Sequence, residues 1–273
     1  MLGHVTWDER TDGDVLGGSA SFAAITAARL GWQVALGTAA GAGFEPTRDL
    51  PGVSVFSAAS AATTRFRNDY DVDGARRQRL LARAADVDFT VVPAEWRTPD
   101  VLLLAPVAGE LPAGSAPKFP ADVVGAFAQG WLRQFGEDGG VTRQDWPHPE
   151  RDLEGVGFLF ASLEDVGGDS ALAQRWLPLV ELMALTRGRQ GVDLIADDTA
   201  ARRVLTLRRP EVDPTGAGDV FGTAFLARYH ETRDVGVAAR FGCAAASCAV
   251  EGIGTTAIPD REALEARLEL LPT

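Results

Sequence analysis

Short unbroken apolar runs, alternating with helix-like stretches, constrain this chain most. WQVALGTA (32–39), VLLLAP (101–106) and GFLFAS (157–162) are too short for helices and lack a polar face, so each reads as a strand buried on both sides. DVLGGSASFAAITAARLG reads as a helix entered through a double glycine, with Ala20, Ala23, Ala24, Ala27 and Leu30 as its small apolar face. MLGHVTWD reads as a strand ending at Asp8, ADVVGAFAQG (121–130) as a helix, and LVELMALTRG, GVDLIAD and RRVLTLRR as closely spaced strands. Helices are expected at 217–231, 234–250 and 260–270, the last capped by Asp260. Strands alternating with helices imply an α/β fold: a mainly parallel sheet with helices on both faces, in one domain spanning 1–273. Residues 62–83 depart from this pattern. Phe66, Tyr70 and Val72 lie among charges, and Asp73-Gly74 suits a hairpin turn, so this ribbon and the segment at about 10–16 are expected to form a small β lid.

The charge balance narrows the possible partners. Twenty-six basic against 38 acidic residues give a net charge of -12, which argues against nucleic acid and anionic membranes as partners. Lys118 is the single lysine, and it follows no glycine run, so a Walker A loop is excluded. Phosphate chemistry would have to use arginine, backbone amides or a metal ion. Cys243 and Cys248 fit neither a redox pair nor a zinc pair and read as packed thiols. Three scattered histidines argue against a histidine metal cluster. No apolar run has the length of a membrane span and no leader pattern opens the chain, so a cytoplasmic location is expected.

VDPTGAGDVFGTAFLARY (212–229) carries the strongest chemical signal. Glycines at 216 and 218 precede a long apolar helix, whose N-terminus presents unpaired amides and the positive end of a dipole. That is a cradle for a phosphate or oxyanion. Asp219 beside it would repel an anion; it makes sense if the carboxylate takes a proton from a hydroxyl while the amides hold the developing charge. An ordinary first-turn aspartate is the competing structural reading.

D-P-T-G-A-G-D-V-F resembles the C-terminal motif of the ribokinase-like (PfkB) carbohydrate kinases, which move the γ-phosphate of ATP to an alcohol. The resemblance implies a ribokinase-like three-layer α/β fold, with Asp219 as catalytic base and Gly216, Ala217 and Gly218 as the anion hole. It implies Asp8 as a ligand for substrate hydroxyls, Gly17 and Gly18 as the glycine pair that lets substrate approach the next helix, and residues 62–83 as the lid. T-R-G-R-Q-G at 186–191 resembles the family's nucleotide turn, which puts Thr186, Gly188 and Gly191 near ATP; Thr215 and Gly252, the latter in VEGIGT, are also assigned to the donor. ATP and Mg²⁺ are the implied cofactors. Implied partners are a small sugar, polyol or nucleoside and, through the lid, a second copy of the chain.

The chain departs from the family at three places. Phe22 stands where a substrate-binding asparagine is usual. The metal-linked segment survives only as Ser162 to Asp165, with Ser162 and Asp165 holding Mg²⁺ through water or acting as a helix cap. The D-x-N-x-R segment survives only as Gln129 to Arg133, keeping Arg133 as a substrate ligand. Arg187 and Arg133 are candidates to assist transfer, against a reading as surface charge. Trp7, Phe22 and Phe66 are candidates to stack on a ring. Three other functions compete with the kinase: a non-catalytic sugar or nucleotide binder on the same fold; a dinucleotide-dependent oxidoreductase suggested by ALGTAAGAG, which lacks the third glycine; and a Ser-His-Asp hydrolase, opposed by the lack of a G-x-S-x-G.

Overall fold

The computed structural model describes residues 1–11, 13–70, 76–196 and 201–272; the expected turn at Asp73-Gly74 lies outside them. Among the described residues the strands are β1 (Thr6–Arg10), β2 (Gly13–Gly17), β3 (Val34–Ala40), β4 (Val53–Ala59), β5 (Thr64–Tyr70), β6 (Arg76–Ala82), β7 (Val101–Leu104), β8 (Val123–Phe127), β9 (Arg133–Phe135), β10 (Val141–Arg143), β11 (Phe158–Ser162), β12 (Leu182–Thr186), β13 (Val192–Ile195) and β14 (Arg202–Val204). The helices are α1 (Ser19–Arg29), single turns α2 (Pro46–Asp49), α3 (Pro149–Asp152) and α4 (Ser170–Gln174), then α5 (Ala217–Thr232), α6 (Val235–Ala249) and α7 (Arg261–Leu268).

The central sheet runs in the order β14-β13-β12-β11-β8-β7, and parallel bridges from Leu2 to Leu104 and to Gly37 join it to the parallel pair β3-β4. β7, β8, β11 and β12 are parallel, while β13 and β14 turn back antiparallel. Alternate residues along each strand leave on opposite faces. Leu103, Phe158, Phe160, Leu182 and Ala184 face the helix layer of Phe221, Phe225 and Phe241. Leu102, Leu104, Leu159, Met183 and Leu185 face a second core built with Trp131, Trp146 and Trp176. Each fully buried large side chain contributes about 1.5–3 kcal/mol, so both faces matter to stability. The ribokinase-like α/β expectation holds, but the layers are unequal. α1, α5 and α6 pack on one face, whereas the other is closed largely by one-turn helices and tryptophans.

Two elements differ from their sequence reading. ADVVGAFAQG is the strand β8, pairing in parallel with β7 and β11. Its apolar residues are buried on both faces, which hides the alternation that separates strand from helix. Gly125 is there for packing, because a Cβ on it would lie 2.5 Å from Leu226 Cδ1 of α5. The N-terminal strand is also divided: Leu2 bridges within the central sheet, and β1 leaves for the lid.

The lid is a four-stranded sheet, β2-β1-β5-β6, in which β1 and β5 are parallel and both outer pairs antiparallel. Its base is tied by His4, which is fully buried. His4 Nε2 donates to the Ala85 carbonyl at 2.8 Å, which leaves Nδ1 to accept from the Thr64 hydroxyl at 2.8 Å. Thr64 Oγ1 accepts in turn from the Ala84 amide at 2.9 Å. Buried Glu110 accepts from the amides of His4, Val107 and Ala108.

Candidate active site

A cleft of about 680 Å³ opens between the lid and the carboxyl ends of the parallel strands, where an open α/β sheet binds ligands. β11 ends on Ser162 and β12 on Thr186, and both residues line the cleft. Its floor is the start of α5. Gly216 caps that helix with φ 77. A Cβ on it would lie 2.3 Å from the Phe22 ring, so glycine is required by conformation and by contact alike. The Ala217 amide bends back to the Pro214 carbonyl at 3.2 Å, and the first in-helix bond recorded is Val220 N to Gly216 O at 2.9 Å. Gly218, exposed at the cleft, lies in the first turn, where amides have no partner within the helix.

Asp219 is half-buried beside these amides. Burial pushes its carboxyl up to about 7; the Ser19 hydroxyl lowers it, the Asp165 charge raises it and the Arg133 charge lowers it. The carboxyl therefore ionises near neutral pH, where a general base works best.

Asp8 lies on β1 above this floor and lines the cleft. Gly17 does not line it, but sits behind Asp8: a Cβ there would be 2.5 Å from Asp8 Oδ2. Gly18 lines the cleft with φ 86 as the cap of α1. Phe22 and Phe66 line the cleft, both nearly fully buried, whereas Trp7 packs against the main core. Arg133 spans lid and body: its Nη1 donates to the Val107 carbonyl at 3.2 Å, and its guanidinium lies 5.5 Å from the Phe66 ring centroid.

At the other end of the cleft are Thr186, Gly188, Gly191 and Thr215. Gly252 lies outside it, against Thr256 and Ala257. Arg187 lines the cleft but is ion-paired with Asp193, which also receives Arg203 at 2.6 and 2.9 Å. Ser162 and Asp165 cap one another, the Ser162 amide donating to Asp165 Oδ2 at 2.8 Å and the Asp165 amide to Ser162 Oγ at 3.0 Å. Both line the cleft. Among the described residues no group of three or more His, Cys, Asp or Glu side chains is placed to hold a metal ion.

Three contributors escaped the sequence reading. Thr6 Oγ1 is buried in the cleft wall without a hydrogen-bond partner, two residues before Asp8. Ser19 lines the cleft and lowers the Asp219 carboxyl, although the pattern around it suggests only a small helix face. Cys243, Ala246, Ser247 and Val250 of α6 and its C-terminus, read as packing residues, wall the far end of the cleft together with Leu207. Cys243 is a buried thiol pushed up to about 12 by burial, so it is wall rather than nucleophile.

The pfkB family carbohydrate kinase model matches residues 160–261. A pyrophosphate-dependent kinase in the ribokinase family, solved with a pyrophosphate analogue and myo-inositol, superposes with TM-score 0.76 at 21% identity, covering 97% of this chain and 98% of that one. Ribokinase from Arabidopsis thaliana, solved with ribose and ATP, superposes with TM-score 0.75 at 17% identity, covering 98% of this chain and 97% of that one. A nucleoside kinase from Methanothermobacter thermautotrophicus is 40% identical over 76 residues, 28% of this chain; the match spans 24% of that relative's length. The fold is thus that of the ribokinase family over nearly the whole chain, and the segment carrying the candidate base, 160–261, matches the pfkB family carbohydrate kinase model.

Proposed function

We propose that this protein transfers the γ-phosphoryl group of ATP to a hydroxyl of a small sugar or polyol. One observation carries the reading: a carboxyl that ionises near neutral pH, Asp219, stands in a cleft at the amide-rich start of α5. The acceptor lies against Asp8 and Thr6 beneath the lid. Asp219 takes the proton from its hydroxyl, and the amides at 216–218 receive the charge on the migrating group in an in-line displacement. The lid excludes water, whose attack would hydrolyse the donor. Mg²⁺, arriving with the donor, would neutralise phosphate charge; Ser162 and Asp165 supply hard oxygen atoms suited to its water shell.

ATP is favoured as donor because Leu207, Ala246 and Val250 form an apolar wall suited to a base. Pyrophosphate, the donor of one superposed kinase, is the second reading, favoured by Arg187, Arg189 and Arg209 lining the same end. A nucleoside is the alternative acceptor, with Phe22 and Phe66 to hold its base. A panel of sugars, inositols and nucleosides, assayed with ATP and separately with pyrophosphate, tests the reading. The expected result is ADP release dependent on a polyol acceptor; binding of acceptor and ATP without transfer would reduce the protein to a sensor.

A further inference from the structure

We propose that Arg10 is a positioning residue of the transfer centre, which through Asp213 ties the lid hairpin to the turn carrying the amides at 216–218. This rests on the kinase reading above. Arg10 ends β1 opposite Gly13, at the tip of the β1-β2 hairpin. Its Nη2 donates to Asp213 Oδ2 at 2.5 Å, linking residues 203 apart in sequence. Asp213 is buried and lies six residues before Asp219. Its Oδ1 accepts from the Thr215 amide at 3.0 Å and its Oδ2 from the Gly254 amide at 3.3 Å. One carboxylate thus joins three segments: lid hairpin, helix-entry turn and the loop at Gly254.

The hairpin meets that loop a second time, since a Cβ on Gly254 would lie 3.0 Å from Val15 Cγ1 of β2. Burial raises the Asp213 carboxyl, but hydrogen bonds from Thr215, Arg10 and Gly254 outweigh it and hold the group below the usual carboxylate range. Without the guanidinium, the buried carboxylate would keep amide donors but lose its opposite charge, an arrangement of high cost. The Pro214–Thr215 peptide, directly before the left-handed Gly216 that caps α5, hangs from the same carboxylate. The contact exists only while the hairpin lies on the body. Lid position and the aim of the anion-binding amides are therefore coupled.

The test uses the full chain as native protein, Arg10→Ala, Arg10→Lys and Asp213→Asn. Steady-state kinetics are paired with amide hydrogen exchange at Thr215 and Gly254. In Arg10→Ala, kcat is expected to fall about 10- to 100-fold, the scale of a hydrogen bond between charged groups. Donor KM should change by no more than about threefold, because the loss is in the transition state. Exchange at both amides should quicken, and guanidinium ion added to Arg10→Ala should restore part of kcat while leaving Asp213→Asn unrescued. A native kcat in Arg10→Ala overturns the proposal, and so does a lowered kcat with unchanged exchange at 215 and 254. Should Arg10→Ala fail to fold, Arg10→Lys, which keeps the charge but not the forked geometry, serves in the same comparison. A native protein that binds but transfers nothing would defeat the kinase reading alone, because the exchange data still decide whether Arg10 fixes the turn.

Discussion

Replacing Ser19 by alanine should raise the pH at which this protein begins to turn over. Ser19 opens α1 directly after Gly18, is buried, and its hydroxyl favours the ionised form of the Asp219 carboxyl. That polar neighbour opposes the burial that pushes the carboxyl up to about 7. At the lower end for a polar contact to a charged group, roughly 1.5 kcal/mol, its loss would raise the ionisation by about one pH unit. At pH 7 the native base is about half ionised; one unit higher, about a tenth is, a fall of roughly fivefold in kcat/KM. At pH 9 both forms are almost fully ionised and the difference should nearly vanish. The assay is kcat/KM against pH from 5.5 to 9.5 at fixed acceptor, with melting temperature followed in parallel. A uniform fall at every pH, or an acidic limb that stays in place, would refute the assignment of Ser19 as the group tuning the base.

Asp219→Asn should lower kcat by about 10²–10⁴-fold, the usual value of a general base. Its stability should change in the opposite sense. The folded-state ionisation of Asp219 is raised, so the native protein loses stability as pH rises from about 4 to about 7 and the asparagine variant does not; urea denaturation at pH 5 and pH 8 should show a difference of about 1–2 kcal/mol, discounted because the group is half-buried. Gly216→Ala and Gly218→Ala should diverge: the first is strained by φ 77 and meets Phe22, and should unfold the helix entry, whereas the second meets nothing within 4 Å and should keep or slightly raise the melting temperature while weakening the donor site. Thr6→Val, which removes a buried hydroxyl without a partner in the cleft wall, should raise acceptor KM without lowering stability. Cys243 and Cys248, both buried thiols raised by burial, should resist an aromatic disulfide reagent until the protein is denatured.

What could be read from sequence was local. The helix entry at 216, the cap at Asp260 and the apolar strands 101–104, 158–162 and 182–186 announce themselves within a few residues, and the structure places them accordingly. β8 was hidden because its period of two is erased when both faces are buried. The short ribbon of β9 and β10 was missed because three-residue strands hardly differ from loop. Ser19, Thr6 and Arg10 could not be found by pattern at all, since each acts on a partner distant in sequence or on the cleft itself. Asp8 and Asp219 stand out in the sequence as candidates, and their shared cleft is a product of the fold. The donor wall was disguised by its composition: Ala246, Ser247 and Val250 look like any tightly packed helix until the sheet is set opposite them.

The histidine at the base of the lid sets how failure would look. One ring clasps Thr64 and Ala85, and Glu110 grips the backbone beneath, so the base of this sheet is pinned to the body by buried polar bonds. Loosening those bonds would leave base, amides and donor wall in place while letting solvent share the pocket. Damage there would therefore show as leakage, with donor consumed and no phosphorylated product made, before it showed as inactivity.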